Sequence, residues 1–479
     1  MNFASLEFGV FFLVVLVIRL FYRQSGSRVF VSILVLLSLV FYGWEEPSYV
    51  FLILLSTVID FFAALAIEKY RSSPRTRRAI VTISCVANLG LLGFFKYTGF
   101  FVQNLSTVLP LEPGIATALR GIVLPIGISF YTFQSMSYTI DVYRGEKPTR
   151  SFLDFIFYIS FFPQLVAGPI VRAHNFLYQI HRVRSIRLVV WLEGFRLMIL
   201  GFFLKLVVAD NIGYALSGIN LQSVGIWDYA VQPDGPSTLA WYAIILFPAQ
   251  IFCDFAGYTN IARGLAYLLG FRLPINFNAP YLAGSFSEFW HRWHITLSTW
   301  LRDYLYIPLG GNRISKGRTL VNVMAVMLLG GLWHGAGWTF IVWGAIHGTG
   351  LVVERAAGIA RVTERWLAAR LGWFLVVQAV VLFAWIFFRS SRFAEAGVLI
   401  TNAARLDFPH IEIADYPNLQ AALIVIWAVP LLHLRALLRE AGGRPFRETR
   451  IEQAIVSGFL LIATLSFYGE GGEFIYFQF

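Results

Sequence analysis

Residues 49–67 read Tyr-Val-Phe-Leu-Ile-Leu-Leu-Ser-Thr-Val-Ile-Asp-Phe-Phe-Ala-Ala-Leu-Ala-Ile. Wound as an α-helix, a run of this length extends roughly 28 Å, close to the ~30 Å hydrocarbon core of a bilayer. Phe8 to Tyr22 and Val29 to Trp44 precede it as similar runs, and Ile80 to Phe95 follows. The first run is short and carries Arg19, a side chain able to snorkel to an interface. The fourth carries Gly90 and Gly93, which predict close helix contact.

Apolar runs continue almost to the C-terminus of the 479-residue chain, and 57% of all residues are apolar against 14% charged. Too few charges remain to clothe soluble domains, so the chain reads as an all-α polytopic membrane protein. The first helix reads as retained, because no basic n-region or cleavage site accompanies it. Net charge is +11, carried mostly by Arg in short loops, which points to lipid headgroups and away from nucleic acid. Cys85 and Cys253 lie inside apolar segments and read as packing residues.

Further along, Phe100 to Leu109 reads as an interfacial piece and Ile115 to Ile140 as a crossing. Phe152 to Val166, broken at Pro163, reads as re-entrant. Leu188 to Val208, Ala240 to Phe255 with a short partner Ile261 to Phe271, Leu320 to Trp333, Trp338 to Val353, Trp373 to Phe388, Ala421 to Leu438 and Ile455 to Phe467 complete 11 to 13 predicted membrane segments. We read residues 1–479 as one membrane-embedded domain, with N-terminal helices over 1–110, a core over 115–390 and a C-terminal loop and helices over 391–479.

Loop charge predicts orientation. The connection after the first run carries Arg23 and Arg28, and residues 68–78 carry five basic side chains, whereas the connection between the second and third runs carries only Glu45 and Glu46. Positive-inside bias puts the basic connections in the cytoplasm and the N-terminus outside.

The polar centre is Ser285 to Tyr306. Phe289, Trp293, Leu297, Trp300 and Tyr304 recur at helical spacing as one aromatic stripe, with Glu288 in reach of Arg292 and Thr299 in reach of Asp303. This predicts an interfacial helix or one wall of a hydrated cavity. Four of eight histidines fall nearby, at His291, His294, His334 and His347. His291 and His294 are placed to share a helix face, but no third ligand stands at metal spacing, so no metal site is predicted. His334 is flanked by Gly330, Gly331, Gly335 and Gly337. A buried imidazole there is suited to accept and return a hydroxyl proton, or else to bond a neighbouring helix carbonyl as a structural group. No Gly-x-Ser-x-Gly elbow, Walker A or Gly-x-Gly-x-x-Gly motif is present.

Asn276 to Tyr281 and Glu288 to Arg313 together resemble the central signature of the membrane-bound O-acyltransferases, in the bacterial polysaccharide branch. Leu124 to Tyr131, Ile140 to Gly145, Phe161 to Ile170 and Asp254 to Tyr258 fit the same family, in order along the chain. The resemblance implies a ring of tilted helices around a thin central cavity, with re-entrant and interfacial pieces. It implies transfer of an acetyl group from a cytoplasmic thioester, acetyl-coenzyme A, with no bound cofactor. The acceptor is an exported polysaccharide such as alginate, reached from a bacterial inner membrane. It implies His334 and His294 as the catalytic pair. Trp293, Arg302, Asp303 and Asn312, with His291 and Asp254, would line or brace the cavity. An extracytoplasmic acetyltransferase is an implied partner, for which the aromatic end Phe474 to Phe479 is a docking candidate or else an interfacial anchor. Two departures bear on the acceptor: His291 stands where the family often has Arg, and Asn260 where it often has Asp.

Three readings stay open from the residues. One is acyl transfer, including D-alanyl transfer to a cell-wall polymer from a carrier protein. Another is a non-catalytic transporter of an acyl donor or lipid-linked sugar, using Glu193, Arg196, Lys205 and Asp254. The third is a scaffold for a partner's active site.

Overall fold

The computed structural model describes residues 1–22, 27–109, 112–182, 187–218, 224–416, 418–441 and 450–467; Arg23, Pro110 and the aromatic end Phe474 to Phe479 lie outside them. All regular structure among the described residues is helical. Among the described residues, five helices are long and apolar enough to cross a membrane: Ser48–Lys69, Pro74–Leu105, Ser237–Leu269, Leu367–Arg389 and Leu419–Leu438. The protein is a multi-pass membrane protein, as helices alone satisfy their own backbone in lipid.

Several boundaries differ from the sequence reading. Phe100 to Leu109 is not a separate interfacial piece, because Pro74–Leu105 is one helix of 32 residues with Pro at its first position, where the missing N–H costs nothing. Ala240 to Phe255 and Ile261 to Phe271 belong to one helix, Ser237–Leu269, which runs through Pro248. The Pro248 carbonyl accepts a 2.7 Å hydrogen bond from the Tyr281 hydroxyl, the kind of side-chain support that lets proline persist in a membrane helix. Ile115 to Ile140, by contrast, is two helices, Pro113–Arg120 and Ile128–Arg144. Gly127 between them sits at φ 78°, where a Cβ would lie 2.8 Å from the Leu165 carbonyl oxygen, so glycine is required.

The chain folds as two compact units, residues 1–198 with 259–274 and residues 199–258 with 275–479. In the first, buried Asp60 accepts hydrogen bonds from Ser84, Ser135 and Asn88, whose side-chain oxygen in turn accepts from Ser56. Phe157, Phe161, Phe176 and Phe271 pack with ring centroids 5.2–5.5 Å apart. Arg19 does not snorkel: it is buried, bonded to the Tyr22 carbonyl and set over the Phe30 ring. Gly90 and Gly93 have nothing within 4 Å of a Cβ position, so they do not mediate the close contact predicted for them. The N-terminal amine lies 3.3 Å from Glu45, placing both at the same end of this unit.

The second unit is built on a helical hairpin, Lys316–His334 and Trp338–Ala356. Glycines make it tight. A Cβ on Gly331 would meet the Phe340 carbonyl oxygen at 2.2 Å, and one on Gly344 the Met327 carbonyl oxygen at 2.3 Å. His334 is the last residue of the first arm, so the hairpin tip presents it.

Candidate active site

The stretch from Ser285 to Tyr306 is not the single amphipathic helix that its aromatic spacing predicts. It is two seven-residue helices, Phe286–Arg292 and Ile295–Leu301, followed by a π-helical turn Arg302–Tyr306. The break falls at His294, whose φ of 41° lies in the left-handed region that a residue with a Cβ rarely occupies. The strain is held by the strand-like loop before it. Ile295 N–H donates to the Asn276 carbonyl at 2.9 Å, and Asn278 N–H to the Arg292 carbonyl at 2.9 Å. Ser285 caps the first helix through the Glu288 N–H, and Glu354 accepts from the Phe286 N–H at 2.6 Å.

The kink turns His294 away from its neighbour His291. His291 is exposed, its Nδ1 bonded to the Ser287 carbonyl one turn back, whereas His294 is fully buried. They do not share a face. The contacts of His294 also assign its tautomer. Asn276 Oδ1 accepts from the Thr296 backbone N–H at 3.2 Å and from the Thr296 hydroxyl at 2.9 Å. A backbone N–H only donates, so the atom it meets is the amide oxygen. His294 Nδ1, 3.2 Å from that oxygen, therefore carries the proton and Nε2 carries the lone pair. Burial holds the imidazolium form down, with a pKa of about 3, so the ring is neutral.

His334 lies beside it. The two imidazole centroids are 6.4 Å apart. Trp333, Trp343 and Phe388 pack edge-on around His334 at 5.1, 5.0 and 5.3 Å, and Phe255 packs edge-on to His294 at 4.7 Å. Trp293 is fully buried, stacked on Phe289 and 5.0 Å from Trp385. The result is two adjacent imidazoles in an aromatic wall of the second unit.

The remaining predicted residues divide. Asp254 is buried and paired with Lys205 at 2.8 Å; Lys205 also reaches Asp210 at 2.7 Å. Lys205 sits in a π-helical segment, Phe203–Ala209, that packs closely on Gly257, where a Cβ would lie 2.8 Å from the Gly201 carbonyl oxygen. Arg302 and Asp303 pair with each other at 2.7 Å, with Arg302 more than half exposed, and the Thr299 hydroxyl bonds the carbonyls of Ile295 and Thr296. Asn312 is exposed and its side-chain oxygen accepts from the Tyr306 hydroxyl, to which Arg355 donates at 2.9 Å. Asn322 holds the neighbouring loop through the carbonyls of Leu309 and Gly311, and His334 is three turns further along that helix, about 18 Å away. The structure thus groups His334, His294 and Trp293 together, places His291, Arg302 and Asn312 at exposed positions, and leaves Asp303 partly buried beneath Arg302. Asn276 is the residue that sequence reasoning passed over as a site member. Its only sequence signal was its place in the Asn276 to Tyr281 motif.

Among the described residues, no cluster of three or more His, Cys, Asp or Glu side chains could hold a metal ion.

Comparison with known proteins gives a consistent assignment. The family model described as MBOAT, membrane-bound O-acyltransferase family, matches residues 22–390. The chain is 38% identical over 423 residues to the probable alginate O-acetylase AlgI of Azotobacter vinelandii, covering 86% of this chain and 80% of the relative. It is 35% identical over 422 residues to the peptidoglycan O-acetyltransferase of Helicobacter pylori, covering 80% of this chain and 76% of the relative. A teichoic acid D-alanyltransferase of Streptococcus thermophilus is 30% identical over 313 residues, covering 59% of this chain and 74% of the relative.

Proposed function

The chain belongs to the membrane-bound O-acyltransferase family and is an acyltransferase, and we propose that it passes an acetyl group from cytoplasmic acetyl-coenzyme A toward hydroxyls of an exported polysaccharide such as alginate. The observation that carries this reading is the pairing of His334 with a second imidazole of assigned tautomer, 6.4 Å away, inside a buried aromatic wall.

The chemistry follows from those two rings. A thioester is already activated, and the deficit lies in the hydroxyl, a weak nucleophile until a base takes its proton. His334 accepts that proton as the hydroxyl oxygen attacks the thioester carbonyl carbon. The tetrahedral intermediate collapses, the C–S bond breaks, and the proton held by His334 goes to the departing thiolate. No acyl-enzyme forms. His294, with its lone pair on Nε2 and its Nδ1–H committed to Asn276, suits the acceptor side: it receives a hydrogen bond from the hydroxyl and orients it. A neutral Nε2 without a proton has none to offer the thioester carbonyl, so carbonyl polarisation falls to another donor. The low-dielectric surroundings strengthen each of these contacts.

We place the enzyme in the bacterial cytoplasmic membrane with its N-terminus outside, on the loop charges and on the shared end of Met1 and Glu45. A thin centre at His334 would let the acetyl group change compartment while coenzyme A stays in the cytoplasm, and an extracytoplasmic transferase would carry it onward where the polymer is not acetylated directly. The exposed Arg302 and Asn312, with the half-buried Asp303, would then act at the cavity mouth.

The test is labelled acetyl-coenzyme A supplied to membranes with polysaccharide acceptor. Acceptor-dependent release of coenzyme A, lost in His334→Ala by about a hundredfold or more at unchanged protein abundance, is the expected result. Full activity in that variant removes His334 from the mechanism, and release only of a carrier-bound D-alanyl group replaces the acetyl donor.

A further inference from the structure

His347 is buried completely on the helix Trp338–Ala356, one turn beyond Trp343, and neither of its ring nitrogens has a hydrogen-bond partner among the described residues. Its ring is stacked on Phe289 at 5.6 Å, with Trp290 and Trp343 edge-on at 5.2 and 4.9 Å. The indole N–H groups of Trp290 and Trp343 also lack partners among the described residues, and Trp343 is the ring that packs edge-on to His334 at 5.0 Å.

This arrangement is costly as packing alone. A neutral imidazole presents one N–H and one lone pair, and each buried polar group left without a partner is destabilising. Phenylalanine at position 347 would stack on the same rings with no such penalty. Buried polar groups in native proteins are almost always satisfied by protein or by ordered water. Two indole donors beside a ring that both donates and accepts suit a small molecule that does both.

We propose that His347 is a positioning residue: together with the indole N–H groups of Trp343 and Trp290 it binds buried water, and this hydrogen-bonded unit fixes Trp343 edge-on against His334. One water accepts from the indoles and donates to the imidazole lone pair, and a second accepts the imidazole N–H. His347 acts through Trp343 and touches no reacting atom. Trp343 in turn limits the rotation of the His334 ring, so the nitrogen that takes the hydroxyl proton stays aimed. The proposal rests on His334 being the base.

The experiment compares His347→Phe, His347→Gln and Trp343→Phe with the wild type in the labelled-acetyl assay, together with thermal unfolding of each purified protein. His347→Phe keeps the stacking and is expected to lower kcat about ten- to a hundredfold, with KM within about twofold and Tm unchanged or higher. His347→Gln, which keeps a donor and an acceptor, should recover most of that loss. Trp343→Phe removes the indole N–H together with part of the ring packed on His334, so it should lose at least as much kcat as His347→Phe, and the double variant should be no worse than Trp343→Phe alone. Wild-type kcat in His347→Phe overturns the proposal, as does an equal loss in the Gln variant or additive losses in the double variant. Should His347→Phe fail to fold, His347→Leu takes its place: a kcat loss at unchanged KM that His347→Gln does not share supports the proposal, and wild-type kcat overturns it. His334→Ala, measured alongside, keeps the two questions separate: activity in that variant defeats the catalytic reading, whereas its loss with a wild-type His347→Phe defeats only the positioning role.

Discussion

Asn276 Oδ1 stands 3.2 Å from His294 Nδ1, across eighteen residues of sequence, and the same oxygen accepts the backbone N–H and hydroxyl of Thr296. One carboxamide thereby sets the tautomer of a buried imidazole, while the main chain of the same residue helps hold the left-handed turn that carries it. Orientation of a catalytic histidine by a carboxylate is a familiar arrangement. Here a neutral amide orients His294, which adds no charge to surroundings lined by aromatic rings.

Replacing Asn276 by Leu should therefore affect both chemistry and folding. The Thr296 N–H is left buried without an acceptor, a loss of about 1–3 kcal/mol, and the His294 tautomer is no longer fixed. Acetyl transfer should fall about tenfold or more, with a lowered Tm in detergent. Wild-type activity in Asn276→Leu would show that the tautomer has no bearing on the reaction.

The pH profile gives a separate check on His294. Its folded pKa of about 3 lies below the ordinary value near 6.5, so the native protein keeps the ring neutral while an unfolded chain would protonate it. Its contribution to stability is full above about pH 6.5 and is lost progressively as pH falls from there toward about 3. In His294→Gln the decline of Tm between pH 6.5 and 4.5 should be shallower than in the wild type. Identical slopes would contradict the neutral assignment.

Lys205 sits between Asp254 and Asp210, all three buried. Lys205→Met leaves two carboxylates facing each other without a cation and should cost about 3–5 kcal/mol, read as a large drop in Tm or in membrane abundance. Adding Asp254→Asn to that variant should recover part of the loss by removing one uncompensated charge. A transport path through these residues predicts lost flux at unchanged stability, which the same two measurements distinguish.

The hairpin glycines predict a contrast within one assay. Gly344→Ala places a methyl 2.3 Å from the Met327 carbonyl oxygen, backbone that cannot swing aside, whereas Gly90→Ala and Gly93→Ala meet nothing within 4 Å. The first should lose about 1–3 kcal/mol and most activity, because His334 rides on the displaced arm. The other two should be neutral or slightly stabilised, since alanine favours helix over glycine. Equal behaviour of all three would mean that the hairpin spacing does not position His334.

The legibility of the site was uneven for physical reasons. The imidazole at position 334 could be found because four glycines around one histidine in an apolar run is an unusual local pattern, and the hairpin those glycines permit is itself local. The pairing of Asp254 with Lys205 could not, because 49 residues separate them and nothing near either names the other. The kink at His294 was hidden for a related cause. Aromatic spacing predicts one continuous helix through Trp293, and only the hydrogen bonds from the Asn276 to Asn278 loop make the left-handed turn affordable. Hydropathy also split Ala240 to Phe255 from Ile261 onward, because Gly257 to Asn260 interrupt the apolar run, whereas the helix Ser237–Leu269 continues through them.

By itself, the order of residues determined the solvent in which this protein lives and the chemistry it carries. Runs of about twenty apolar side chains have one stable form in lipid, and the ordered motifs identify an acyltransferase. Tertiary structure alone decided which of the predicted polar residues meet. Burial turns His294 inward beside His334 while leaving His291, Arg302 and Asn312 accessible, although all belong to one short stretch of sequence. Side-chain identity fixes what a group can donate or accept, but whether it faces another such group depends on a backbone kink held by a distant loop.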